Sequence, residues 1–360
     1  MIFKFGELFS GPGGLGFAAK HAFVKNETED FSIIHAWATD YDKDSCMTYK
    51  NNICPKSSNS VVCADIRKLD LERLRQISEI DALAFGFPCN DFSVVGKQKG
   101  IDGVYGPLYS YGVKTLKSFK PKWFLAENVG GLRNANEGSA FKKILKALFD
   151  SGYSVYPHLY KFHQYGVPQA RQRIIIIGIR NDIDVSFKVP SPEPYEHVDV
   201  TVKNAIENPP ITDKLENNEF TKQSSRVIER LKYIKPGENA FTANIPEEFQ
   251  LNVKGAKISQ IYKRLEPNKP AYTITGSGGG GTHVYHWHEN RALTNRERAR
   301  LQTFPDDFVF SGSKESVRKQ IGMAVPVKGA QIIFESVLKC FANIPYPSIN
   351  CNIEPIIHSK

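Results

Sequence analysis

The sequence predicts an α/β protein in which a mostly parallel, doubly wound sheet is accompanied by a smaller, loop-rich domain. Three observations predict it. Short β-rich apolar runs alternate with helix-like stretches from residue 1 to about 180, that rhythm breaks into proline-rich text near 181, and helical apolar spacing returns after about 290. IFKFGELF forms the first strand, and a glycine turn at 11–16 feeds the first helix. SIIHAWATD forms the second strand and ends in an acid, Asp40. SVVCADI, DALAFGFP, KWFLAEN, YSVYPHLYKF and RIIIIGIR supply the others, and RIIIIGIR is too continuously apolar to face water on either side. SPEPYEH, ENPPITD and IKPGENAF then erase periodicity, so 181–290 reads as a second domain. RALTNRERARLQTF regains helical spacing, and VPVKGAQIIFESVLKCF reads as a buried amphipathic helix starting near Pro326. The expected organisation is one domain from 1–180 plus 291–342, an insert at 181–290, and a C-terminal tail at 343–360.

Composition narrows the function classes. With 360 residues, 41% of them hydrophobic and 24% charged, disordered, collagen-like and coiled-coil readings fall away. The net charge of +9 favours a polyanionic partner. That charge is uneven: 161–180 carries four Lys/Arg and no acid, 291–300 four against one, and 181–220 only three against nine. Phosphate contacts are therefore expected from the loop after Cys89, the arginine strand, the later insert and the helix from 291. Six cysteines (46, 54, 63, 89, 340, 351) form no CxxC pair and none has zinc-finger spacing to a histidine, so neither a disulfide framework nor a metal is expected. No apolar run reaches the ~18–20 residues of a membrane helix. Lys4 and Glu7 also interrupt any signal-peptide core, so a cytoplasmic protein with no membrane partner is expected.

Four motifs carry chemistry. Gly11, Gly13 and Gly16 satisfy G-x-G-x-x-G with Asp40 placed for ribose hydroxyls, a pattern open to a nicotinamide-dependent dehydrogenase and to a nucleoside-binding methyltransferase alike. Cys89 follows Pro88 at the carboxyl end of a strand, where a thiolate can act as a nucleophile. Glu127 ends the next strand at the same sheet edge. Arg171 and Arg173, in an extended segment, point to one side and can meet one site. Taken singly, Glu127 as a helix cap and the arginines as surface charge stand as alternatives.

Together and in this order, FSGPGGLGF, TDYDKDSC, ADI, GFPCNDFS, AENV, QARQR, RALTNRERARLQTFPDDF and the late GMAVPV resemble the bacterial DNA (cytosine-5) methyltransferases of restriction-modification systems. The resemblance covers 1–180 and 291–342. It implies a Rossmann-like domain dependent on S-adenosylmethionine and a target-recognition domain in the insert. Cys89 would add to cytosine C6, Glu127 would act on N3, Arg171 would orient the base, and Arg173 would hold the catalytic segment. In the donor pocket, Phe9 would stack on adenine, Gly11, Gly13, Gly14 and Leu15 would pass the methionine portion, and Asp40 would take the ribose. Tyr41 would pack on the nucleoside, Asp65 and Ile66 would read adenine, and Pro88, Leu108 and Val325 would line the remainder.

A base inside a duplex cannot present C6 to a thiol, so base flipping is implied. The glycine-rich loop holding Ser93, Lys97 and Lys99 would close over the DNA, and Thr273 belongs to a short recognition-domain signature. Duplex DNA is the implied partner, alongside a separately acting cognate endonuclease, for a monomeric, bacterial or phage-encoded protein. Two residues depart from the pattern: Met323 stands where the family usually has asparagine, and Glu7 where aspartate is more usual. A tRNA cytosine-5 methyltransferase, a nicotinamide-dependent oxidoreductase and a DNA-binding module without catalysis are the competing readings.

Overall fold

The computed structural model describes residues 1–87, 108–251, 259–276 and 280–358. Its first half alternates β1 (Ile2–Leu8), α1 (Gly14–His21), β2 (Phe23–Lys25), β3 (Asp30–Asp40), α2 (Lys43–Ile53), β4 (Val61–Cys63), α3 (Leu71–Ile77) and β5 (Ala82–Gly86). It continues with α4 (Tyr109–Phe119), β6 (Trp123–Val129), α5 (Ser139–Phe149), β7 (Tyr153–Lys161) and β8 (Gln172–Arg180). The strands form one sheet in the order β2-β3-β1-β5-β6-β8-β7, with β4 paired to β3. β3, β1, β5 and β6 run parallel, and so does β4 beside β3. β2, β7 and β8 are antiparallel to their neighbours. The apolar run in β8 is thus the inner strand of an antiparallel hairpin at one end of the sheet, a departure from the parallel βαβ rhythm.

Strand alternation builds a core on each face of this sheet. Phe3, Phe5, Ala82, Ala84, Trp123, Leu125, Ile175 and Ile177 point to one face. Leu83, Phe85, Phe124, Ala126, Ile174 and Ile176 point to the other. β8 therefore buries both of its sides, as its composition requires. The first face is covered by α1 and by α10 (Val327–Phe341), which begins at Pro326. An apolar helical stretch spans α9 (Lys314–Met323) and α10; 78% of its most apolar window is buried in this core.

Among its described residues the insert contains little regular structure: β9 (Val189–Pro190), α6 (Val202–Glu207), α7 (Ser225–Lys232) and short turns before α8 (Asn295–Leu301). It encloses two small apolar clusters, one around Val202, Leu265 and Ile274 and another around Leu231, Tyr262 and Tyr285. Loop carbonyls buried here need donors, and arginine supplies them in a fork. Arg264 donates to the carbonyls of Leu231, His286 and Glu289. Arg296 reaches those of Glu216, Pro305 and Phe308. This corrects the expectation that the helix from 291 offers charge to phosphates. Arg296, Arg298 and Arg300 are buried, Arg300 pairs with Asp306, and Arg291 pairs with Glu289 and Glu297.

Residues 343–360 were expected as a tail, yet the described part lines the sheet. Ile356 exchanges both backbone hydrogen bonds with Val155 on the free edge of β7. The Asn352 side chain copies a strand amide, accepting from Leu159 N–H at 2.8 Å and donating to its carbonyl at 3.0 Å. Pro157, which lacks an N–H, lies between those two positions. β10 (Ser348–Ile349) pairs with β9. Deleting 346–360 is expected to bare an edge that templates intermolecular pairing. Light scattering after size exclusion should register oligomers that the full chain does not form; a monodisperse truncated protein would sink the edge-protection role.

Candidate functional site

The chain moves outward from β1 in two directions, to β3 on one side and to β5 and β6 on the other. At such a switch point the crevice beyond the strand ends is open to a ligand. A cavity of about 530 Å³ occupies it, lined from the ends of β1, β3, β5 and β6 and from α9. Among the expected donor-pocket residues, Phe9, Gly11, Gly14, Leu15, Asp40, Tyr41, Asp65, Ile66, Leu108 and Val325 all face this cavity. Pro88 lies outside the described residues, as do Cys89, Ser93, Lys97 and Lys99.

The glycine turn is held by the acid opposite it. Asp40 accepts the Gly11 N–H at 2.8 Å through one carboxylate oxygen and the Asp42 N–H at 2.9 Å through the other. Burial raises its pKa against the pull of those backbone donors. Gly13 does not line the cavity. Its φ of 97° is left-handed, and a Cβ there would collide with Ile53 at 2.2 Å. Only glycine fits this position of the turn. Asp65 caps the turn at 66–68 and forms an ion pair with Arg67 at 2.5 Å, whose hydrogen bonds depress its pKa to about 2. At this spot Ile66 and the backbone are less committed than the carboxylate.

At the other end of the cavity sits a carboxylate with an arginine. Glu127 Oε1 meets Arg173 Nε at 2.8 Å, both side chains 13% exposed. Burial lifts the Glu127 pKa; Arg173 and then Arg171 oppose this, and burial prevails. Asn128 next to it donates to the Phe87 carbonyl at 3.1 Å, fixing the chain where it leaves β5. That asparagine was missed in the sequence, although it stands inside AENV.

Arg171 is tied to the insert as well as facing the cavity. It is fully buried, and its two terminal nitrogens donate to the carbonyls of Ile274 at 2.9 Å and Gly322 at 3.0 Å. Around it the segment 168–171 is stitched to 271–274. Ala170 N–H donates to Ala271, Ala271 N–H to Pro168, and Ile274 N–H to the Gln169 side chain. Thr273 does not line the cavity; its hydroxyl donates to the Ala170 carbonyl. Arg171 also lines the cavity and keeps its Nε unpartnered there, while its two terminal nitrogens form a clamp that ties the insert to β8 and to α9. The next residues, Thr275 and Gly276, do line the cavity together with Lys319 and Met323, and no sequence signal beyond the glycine run marked them. Arg171→Ala strands two buried carbonyls at ~1–3 kcal/mol each, so urea unfolding should lose about 3 kcal/mol or more. Arg171→Lys, which cannot fork, should recover only part. An alanine variant as stable as wild type would remove the clamp.

Glu7 adds one more feature. It is 2% exposed, faces the cavity and leaves one carboxylate oxygen without a partner. Burial holds it well above the usual carboxylate range, against a hydrogen bond from Tyr49.

With this geometry in hand, comparison with known proteins is specific. The family model described as C-5 cytosine-specific DNA methylase matches residues 3–339. The chain is 59% identical to the Type II methyltransferase M.BbvI of Brevibacillus brevis, over 97% of this chain and 94% of that protein. It is 40% identical to the Type II methyltransferase M.NgoFVII of Neisseria gonorrhoeae, over 93% and 86% respectively. Among solved structures, an Escherichia coli protein described as a prophage-encoded DNA modification methyltransferase superposes with a TM-score of 0.69. Its identity is 22%, over 94% of this chain and 99% of that one, a likeness of fold.

Proposed function

Because the chain belongs to the C-5 cytosine-specific DNA methylase family, it is an enzyme that methylates cytosine at C5 in DNA, and we propose how its residues carry that reaction. The observation that carries the proposal is that one cavity joins the glycine turn and Asp40 to the Glu127–Arg173 pair. We propose S-adenosylmethionine as the donor, and the residues suit it. Asp40 suits ribose hydroxyls, the turn at Gly11–Leu15 leaves room for the chain that bears sulfur, and Phe9, Tyr41, Ile66 and Leu108 give apolar cover for adenine. The unpartnered Glu7 oxygen can accept a hydrogen bond from the ammonium of that ligand, whose charge would counter the burial that raises the Glu7 pKa. When bound, the donor supplies an electrophilic methyl group.

The remaining chemistry belongs to the chain. Cytosine is a weak nucleophile at C5, and a thiolate from Cys89 adding to C6 converts the ring to an enamine. Glu127, whose pKa burial raises, donates a proton to N3 and favours that addition. Arg171, which lines the cavity with an unpartnered Nε, orients the base, and Arg173, which shares the Glu127 carboxylate, holds that catalytic segment in place. After C5 takes the methyl group, loss of its proton and expulsion of the Cys89 thiolate restore the aromatic ring. The substrate is a specific duplex sequence whose cytosine is flipped into the cavity, with the loop that contains Ser93, Lys97 and Lys99 closing over it. Residues 181–290, with Thr273 and the glycine run, form the target-recognition domain in this reading, packed on a catalytic domain of 1–180 and 291–342.

We further propose a monomeric cytoplasmic enzyme with a separately acting cognate endonuclease; the Type II names of its bacterial relatives fit a restriction-modification setting. The family assignment removes the nicotinamide alternative and favours DNA over tRNA. Bisulfite sequencing of DNA from cells expressing the protein tests the whole reading. Protected cytosines should fall at one position of one recurring sequence, and the absence of protection would overturn it.

A further inference from the structure

We propose that Cys46 and Cys63 form a two-thiol oxidation site behind the nucleoside wall of the cavity, closed to a disulfide by a hydroperoxide. That this wall holds the methyl donor rests on the function proposed above; the thiol pair does not. Cys63 ends β4, where it pairs in parallel register with Asp40, and its side chain is exposed. Cys46 lies in the first turn of α2 and is 2% exposed. Their sulfurs converge on one peptide strip. Cys46 Sγ donates to the Asp40 carbonyl at 3.5 Å and Cys63 Sγ to the Tyr41 carbonyl at 3.7 Å, so the two thiols sit on the carbonyls of adjacent residues.

The division of exposure sets the order of events. Exposed Cys63 meets the oxidant first: its thiolate attacks the peroxide, sulfur is oxidised by two electrons to a sulfenic acid, and the O–O bond is reduced to release hydroxide. Cys46 then attacks that sulfur, the S–S bond forms, and its thiol proton leaves with the sulfenic oxygen as water. Burial beside Asp40 raises the Cys46 thiol far above its ordinary range, which makes this second step the slow one. Closure removes both thiol donors from the carbonyls of Asp40 and Tyr41 and draws α2 toward β4. Asp40 also holds the Gly11 turn, so the displacement reaches two walls of the cavity at once.

The test uses the full-length reduced protein, treated with hydrogen peroxide, alkylated and mapped by mass spectrometry, with S-adenosylhomocysteine titrated calorimetrically before and after. The expected result is a Cys46–Cys63 cross-linked peptide lighter by two hydrogens. S-adenosylhomocysteine affinity should fall about tenfold or more, a shift of roughly 1.4 kcal/mol, and dithiothreitol should restore it. Cys63→Ser should bind as the reduced wild type does and keep that affinity through peroxide treatment. Recovery of both peptides as free thiols, under conditions that oxidise Cys89, overturns the site. A cross-link without change in affinity overturns its effect on the cavity. If the reduced protein does not bind S-adenosylhomocysteine at all, the donor assignment fails, and the mapped link alone decides the thiol pair.

Discussion

Replacing Cys89 by serine lowers methyl transfer to duplex DNA by roughly four orders of magnitude or more and abolishes the covalent complex with DNA bearing 5-fluorocytosine. A thiol near its ordinary pKa of about 8.5 supplies some thiolate at neutral pH, whereas an alkoxide is essentially unavailable there. Fluorine at C5 cannot leave as a proton does, so the wild-type adduct persists and is retained on a denaturing gel. The described ends of β5 and β6 lead toward the segment in which Cys89 is proposed as nucleophile. β5 is held between β1 and β6 in parallel register, with Gly86 opposite Glu127, and Asn128 grips the Phe87 carbonyl two residues before Cys89. A Cβ at Gly86 would stand 3.0 Å from the Glu127 carboxylate, so glycine lets the acid and the departing strand share one edge. Single-turnover transfer of labelled methyl groups measures the loss. A serine variant with wild-type rate, or a wild-type protein that forms no adduct, would exclude the thiolate mechanism.

How far the sequence spoke depended on whether a residue's task was local. The two-faced burial of β8 is written in its own isoleucines, and the approach of Asp40 to the Gly11 turn follows from both lying at ends of neighbouring parallel strands. The clamp made by Arg171 is not local. Alternation in an extended segment puts the Arg171 and Arg173 side chains together, but Gln169 and Arg171 each donate a backbone N–H two residues back, so the chain bends before β8 starts. That bend sends Arg171 under Ile274 and Gly322, residues more than a hundred positions away. The arginines of α8 were misread for a related reason. Their number suggests a surface for phosphates, while the carbonyls that Arg296 reaches belong to loops whose folding no periodicity announces. The proline-broken C-terminus likewise lacks strand spacing. Its partner is the free edge of β7, a feature of the sheet rather than of the segment.

Glu127→Gln should lower kcat by roughly 10²–10⁴-fold while leaving the protein no less stable at alkaline pH. Glutamine matches the volume and can still donate a hydrogen bond to N3, but it has no proton to transfer and cannot pair with Arg173 as an ion. The sign of the pH effect follows from burial. The Glu127 pKa is raised in the folded protein, so the acid form persists closer to neutrality, and wild-type activity falls as pH climbs through that value. In the variant this descending limb disappears, leaving only the rise that follows ionisation of Cys89. Stability moves in the same direction. A carboxyl whose folded pKa is raised favours the folded state fully below its unfolded value near 4.5 and loses that contribution as pH rises through the folded value. Wild type should therefore lose ground to the glutamine variant between acid and alkaline pH in parallel urea unfolding. The buried acid is in this sense a group the fold tolerates for chemistry: ionising it is opposed by desolvation and only partly relieved by Arg173 at 2.8 Å. A variant with kcat within about tenfold of wild type would remove Glu127 from proton transfer. A variant that instead weakens progressively against wild type as pH rises would show that the ion pair outweighs burial.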